Sequence, residues 1–171
     1  MAEESEGTDA SEGLDFAIVA WREDGEWQAE VLPAWSAETL DSLTAAMRAH
    51  PGESGCIGLL SYAEDFFVIV RVLGTDVRLV LSDSAAAVDW PLAAEALDSL
   101  DIDVPTPEEI DEMEDEPDPV GDGRLLADLG MDTNEFDMLV SDLDMYPDEI
   151  LSVVAARLGF GDQFDDALDS G

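Results

Sequence analysis

The run Phe16-Ala17-Ile18-Val19-Ala20-Trp21 is apolar without interruption, and this feature narrows the fold more than any other. Successive strand residues point to opposite faces, so an unbroken apolar run predicts a strand covered on both sides. Asp24-Gly25 follows, matching a type I′ hairpin turn, whose two central residues both need positive φ. Trp27, Ala29 and Val31 then alternate with Gln28 and Glu30, as in a second strand with one wet face. A buried strand with its hairpin partner must lie in a sheet packed against further elements.

Downstream periodicities supply those elements. Ser36 is a candidate helix cap, with Trp35 and Leu40 at staple positions around it. Leu40, Leu43 and Met47 form the apolar stripe of that helix, Arg48 lies in its last turn, and Pro51-Gly52 ends it. Cys56 to Tyr62, Phe66 to Leu73 and Val77 to Leu81 read as strands, and a helical stretch from about Ser84 to Leu100 is interrupted at Trp90-Pro91. The fold class is therefore α+β, an N-terminal antiparallel sheet with helices in the order β-β-α-β-β-β-α. That order resembles roadblock- and longin-like domains, which mostly serve as scaffolds and adaptors.

Composition divides the chain further. Residues 1–13 are acidic, aperiodic and Gly- and Ser-bearing, the signature of a disordered tail ahead of the α+β domain at 14–100. Residues 101–122 hold eleven acids, four prolines and no base, and predict an extended linker. Residues 123–171 form a small helical module. Leu125, Leu126 and Leu129 belong to a first helix stopped by Gly130, and Phe136, Leu139, Val140 and Leu143 to a second. Pro147, Asp148 and Glu149 open a third, carrying Ile150, Leu151, Val154 and Leu158 and closed by Arg157 and Gly159. Phe160, Phe164 and Leu168 mark a final amphipathic segment.

Charge restricts function. Across 171 residues, 43 acids face six bases, all arginine, for a net charge of −37. The excess is not confined to the tail and linker, because 14–100 holds fifteen acids and four Arg, and 123–171 twelve acids and two Arg. Such a field repels nucleic acid phosphates and anionic membrane surfaces. It suits a protein partner with a basic surface, or it simply keeps the chain soluble and monomeric. The single cysteine, the lack of a signal peptide's basic and apolar regions, and the absence of any long apolar run together predict a cytoplasmic protein.

The chemistry of most catalytic sites is missing. A zinc deaminase needs a His or Cys and two further Cys around the metal, with a nearby Glu as proton shuttle. This chain has one His and one Cys, and His50-Pro51-Gly52-Glu53 departs from the H-x-E spacing. His50, at a helix end, reads as a structural residue, and Cys56, at a strand start, as a small buried hydrophobe. No lysine exists for a phosphate-binding loop, no G-x-S-x-G elbow is present, and Asp142-Leu143-Asp144 leads into Tyr146-Pro147 rather than a calcium loop. The expectation is a binding protein and not an enzyme, without metal or cofactor. The candidate partner-binding residues are Asp142, Asp144, Asp148 and Glu149, clustered about one turn. Trp27 and Trp35 join them as possible groove linings, although core placement is the simpler reading for each.

Three stretches carry a family resemblance. They are Leu14-Asp15-Phe16-Ala17-Ile18-Val19-Ala20-Trp21-Arg22-Glu23-Asp24-Gly25-Glu26-Trp27, then Leu81-Ser82-Asp83 with Ala87-Val88-Asp89-Trp90, and finally Asp142-Leu143-Asp144-Met145-Tyr146-Pro147-Asp148-Glu149 with Arg157-Leu158-Gly159-Phe160-Gly161. Together they resemble the actinobacterial tRNA adenosine deaminase-associated proteins. The resemblance implies association with that deaminase and supplies no catalytic residues. Two expectations stand side by side. One is a non-catalytic acidic protein contacting the deaminase, whose basic surface receives tRNA. The other is an adaptor or scaffold unrelated to tRNA modification.

Overall fold

The computed structural model describes residues 14–50, 55–62, 66–74, 76–88, 90–112, 119–142 and 145–170. The tail 1–13, Pro51-Gly52, Leu143, Asp144 and the acids of 113–118 lie outside the described residues.

Six strands form one antiparallel sheet in the order β2-β1-β3-β4-β5-β6. They are β1 (Leu14–Glu23), β2 (Glu26–Val31), β3 (Cys56–Tyr62), β4 (Phe66–Leu73), β5 (Asp76–Leu81) and β6 (Val120–Gly121). Asp24 and Gly25 join β1 to β2 with φ of 55° and 81°, as the I′ turn requires. β1 runs central between β2 and β3, with Ile18 opposite both Val31 and Leu59, and residues 17–20 are fully buried. Its unbroken apolar run thus fills both sides of the sheet.

The first face is covered by α1 (Leu40–Arg48) and α2 (Pro91–Ser99), with two short 3-10 turns at Ala34–Ala37 and Ser84–Val88. Here Val19, Leu60, Val68, Val70 and Leu81 meet Leu43, Met47, Leu92 and Leu97. Ser36 does not cap α1. It is buried in the preceding 3-10 turn, its hydroxyl donating to the Pro33 carbonyl. Thr39 caps instead, accepting from Ser42 N–H at 3.0 Å while its own N–H donates to the Ser42 hydroxyl at 3.3 Å. The tight turn uses up the residues between Ser36 and the helix, which shifts the cap by three positions.

The second face is covered by the C-terminal segment. α4 (Thr133–Val140), α5 (Pro147–Leu158), α6 (Gly161–Ser170) and the turn between the last two place Phe136, Ile150, Leu151, Val154, Phe160 and Phe164 on Ile18, Ile57, Leu59, Phe67, Ile69 and Val80. Residues 123–170 therefore share a hydrophobic core with the sheet. Without them its second face would lie open to water. The expected first helix of this segment is a 3-10 turn, Ala127–Leu129, ended by Gly130 in the left-handed region at φ 115°. α5 opens on Pro147 at its first turn and closes on Gly159 at φ 108°, as its sequence signals require.

The stretch expected as an extended linker is partly ordered. α3 (Pro107–Glu112) has no buried residue, but β6 pairs Val120 and Gly121 with Leu81 and Val80. Two residues carry no periodicity for a sequence reading to detect. Gly121 is required there: at φ 127° its backbone passes so close to Leu79 that an added Cβ would lie 2.3 Å from the carbonyl oxygen.

Candidate partner-binding surfaces

β6 delivers the chain to a cluster of charges at one end of the second face. Arg71 and Arg78 stand directly opposite each other on β4 and β5, an arrangement that repels unless countered. The buried Arg71 guanidinium forms a two-pronged pair with Asp128, at 2.7 and 2.9 Å, and donates to the Leu125 carbonyl at 2.8 Å. That hydrogen bond holds the Asp128 carboxyl below its ordinary pKa. Asp122 lies between Arg78 and Arg124, 3.8 Å from each. An arginine inside the apolar run Phe66–Leu73 already signals a buried cation in need of a partner, although periodicity alone does not identify Asp128.

Most of the scarce positive charge is consumed in this way. Arg157 Nε pairs with Glu135 at 2.6 Å, and Arg22 lies 5.3 Å from the Trp27 ring centre. With Arg71, Arg78 and Arg124 committed at the sheet end, five of the six arginines make contacts within the chain. Arg78, Arg124 and Arg157 stay partly exposed beside these carboxylates, and the 43 acids of the chain outweigh them.

Asp144 lies outside the described residues, and the other five candidate residues fall in separate places. Trp27 is core: it packs on Phe160 with ring centres 4.8 Å apart, and its Nε1 would sit 3.4 Å from a Cβ added at Gly159. Trp35 is 58% exposed on the first-face side, a consequence of the 3-10 turn that buries Ser36 and Ala37 beside it. Asp142, Asp148 and Glu149 are exposed around the α4–α5 connection on the second-face side, away from Trp35. Asp148 and Glu149 are neighbours in a helix and point about 100° apart, so they do not form one patch. Glu149 also closes its own helix, accepting from Tyr146 N–H at 2.9 Å.

The sole histidine and cysteine are structural. His50 stacks on Trp21 with ring centres 4.6 Å apart, its Nδ1 3.6 Å from a Glu30 carboxylate oxygen. The Cys56 thiol is buried, donates to the Met47 carbonyl at 3.2 Å, and is pushed up to about 11 by burial. A thiol with that pKa is neither a nucleophile nor a ready metal ligand near neutrality. Among the described residues no group of three or more His, Cys, Asp or Glu is placed to hold a metal ion.

Residues 15–161 match the family model of the Rv3753c-like tRNA adenosine deaminase-associated proteins. The chain belongs to this family. The tRNA adenosine deaminase-associated proteins include a curated relative, Protein Rv3753c of Mycobacterium tuberculosis (strain ATCC 25618 / H37Rv), 34% identical over 161 residues that span 94% of this chain and 90% of the relative. No solved structure matches. The matched span runs from β1 into the start of α6, so the family pattern includes both covers of the sheet. No helix among the described residues of this family member is long and apolar enough to cross a membrane.

The described residues of this tRNA adenosine deaminase-associated family member leave a concavity open at one end of the sheet. It measures about 380 Å³ and lies where β1, the end of β2 and α6 meet, lined by Leu14, Phe16, Val31, Leu32 and Leu168 with Asp15. Val31 was expected inward; at the sheet end it borders this opening and is 38% exposed.

Proposed function

We propose that this chain is a non-catalytic binding protein that associates in the cytoplasm with the tRNA adenosine deaminase named in its family, through the deaminase's basic tRNA-receiving surface. The observation that carries the reading is the net charge of −37, in which 43 acids face six arginines and the described Arg71, Arg78, Arg124 and Arg157 each lie beside a carboxylate. What is left outside is an acid surface that complements cations and repels phosphates. The family's name supplies the deaminase. A stacked histidine and a buried, protonated thiol support a role without chemistry of its own.

The contact is steered by long-range attraction and weakens with salt, since the screening length falls to ~8 Å at physiological ionic strength. It competes with tRNA, because two polyanions cannot occupy one basic groove. Titrating the full chain against purified deaminase, with and without tRNA and at two salt concentrations, tests both statements. No binding at low salt rejects the association. Binding indifferent to salt and tRNA rejects the electrostatic surface and favours an adaptor that docks elsewhere.

A further inference from the structure

The solvent side of the α4–α5 pair carries a row of large apolar side chains that no part of the described chain covers. Met138 on α4 is 77% exposed, Tyr146 at the start of α5 is 60% exposed, and Val153 on α5 is 41% exposed. Helical spacing orders them. Glu135 and Met138 lie at i and i+3 on α4, and Asp142 follows beyond its C-cap, while the N-cap Tyr146 leads Glu149, Val153 and Arg157 in one row along α5. The 2.6 Å pair between Arg157 and Glu135 ties the end of one row to the start of the other, so the two rows border one furrow. Glu149 lies in the same row as Tyr146 and Val153, Asp142 is exposed at the α4–α5 connection, and Glu135 is held by Arg157.

We propose that this furrow is the docking surface itself, with Met138, Tyr146 and Val153 as anchors and the rim carboxylates as the steering charges. The inference rests on the function proposed above and adds its location. The occupant is a protein surface in which apolar recesses are ringed by Lys or Arg, the chemistry of a groove that stacks bases and grips phosphates. Charge complementarity selects it. A second copy of this chain would bring like charges together on the same rim, and a lipid surface or nucleic acid would bring phosphates. Tyr and Met are favoured contact residues, because an aromatic ring or a flexible thioether fills a recess well and at modest entropic cost. Sequence periodicity points the same way: Met138 falls off the buried stripe Phe136–Val140, and Tyr146 precedes the helix whose apolar stripe begins at Pro147.

The test uses the full chain and the purified deaminase, with association and dissociation rates measured at two salt concentrations. The variants are Met138→Ser, Val153→Ser, Tyr146→Ser and Glu149→Gln, with Trp35→Ser on the opposite side as control; thermal melting reports folding. Glutamine at 149 keeps an acceptor for the Tyr146 N–H while removing the charge. The expected result is a loss of affinity of roughly 5- to 30-fold for Met138→Ser and for Tyr146→Ser, carried by faster dissociation with an unchanged salt dependence. Glu149→Gln instead slows association and flattens the salt dependence. Trp35→Ser binds as the parent chain does. If Tyr146→Ser disturbs α5, Met138→Ser decides alone. Parent-like affinity for Met138→Ser together with weakened binding by Trp35→Ser overturns the furrow while leaving the association standing. Absence of binding by the parent chain overturns both. Self-association of the parent chain that Met138→Ser abolishes replaces the basic partner with a second copy.

Discussion

The pair between Arg71 and Asp128 should behave as a latch that holds residues 119–130 on the sheet, and its removal can be costed from its geometry. Asp128→Ala deletes two charge-assisted hydrogen bonds, at 2.7 and 2.9 Å, from a buried guanidinium that keeps its bond to the Leu125 carbonyl. Breaking a wholly buried pair costs about 3–5 kcal/mol. Here the Asp128 side chain is 58% exposed, so water reaches the vacated position and the cost falls to about 2 kcal/mol. With a urea m-value of about 2 kcal/mol per molar, the unfolding midpoint should move down by about 1 M. Arg71→Leu tests the other side, orphaning the Leu125 carbonyl while removing the Arg71–Arg78 repulsion. A double-mutant cycle isolates the coupling, which should be about 1.5 kcal/mol at pH 7. Asp128 ionises more readily in the folded chain than unfolded. The coupling is therefore complete above its ordinary pKa of 3.8 and is lost as pH falls through the lower folded value. A coupling below ~0.3 kcal/mol at pH 7, as for an ordinary surface pair, would refute the latch.

Three further outcomes follow from the packing. A chain ending at residue 122 uncovers Ile18, Ile57, Leu59, Phe67, Ile69 and Val80, a loss on the order of 10 kcal/mol, comparable to a whole domain's stability. It should bind an apolar dye and lose its cooperative melt; an unchanged melt would mean that 123–171 folds independently. Gly121→Ala should lower stability by about 2–4 kcal/mol, because its Cβ meets the Leu79 carbonyl at 2.3 Å and its φ is 127°; chemical denaturation measures this. Cys56 should resist alkylation in the folded chain up to about pH 11, reacting only on unfolding; its raised pKa favours the folded thiol below the ordinary value of 9.0, and that advantage disappears as pH rises through 11.

The sheet was legible because its strands announce themselves twice, through unbroken apolar runs and through turn chemistry such as Asp24-Gly25. Helix ends with strong signals were equally readable, as Pro147 and Gly159 show. What escaped depends on contacts between distant residues. No local pattern in 123–171 distinguishes a helix stripe that packs on its neighbours from one that packs on a sheet, and the contacts between that segment and Ile18, Ile57 and Phe67 are visible only in the fold. Thr39 escaped because a 3-10 turn hides the helix start, and β6 because two residues have no period. Of the candidate surface, the acids at 142–149 could be picked from sequence, and so could the pair of tryptophans. Only the fold separates buried Trp27 from exposed Trp35, and only the fold shows Met138 and Val153 exposed to solvent.

The second cover of the sheet comes from the last third of the chain, and this imposes an order on synthesis. β1 to β5 are complete by residue 81, yet the side chains that close over Phe67 and Ile69 begin near Leu125 and end with Phe164 and Ala167. At 5–20 residues per second, the segment 123–170 takes roughly 2–10 s to be made. A half-dressed sheet is therefore presented to its surroundings on every round of translation. Its apolar face is the kind that captures other nascent chains. The fifteen acids of 14–100 and the eleven of 101–122 emerge before the cover does, and their mutual repulsion keeps such intermediates apart on a polysome. The acid excess thus acts on the unfinished chain as well as on the finished one, by keeping neighbouring copies apart.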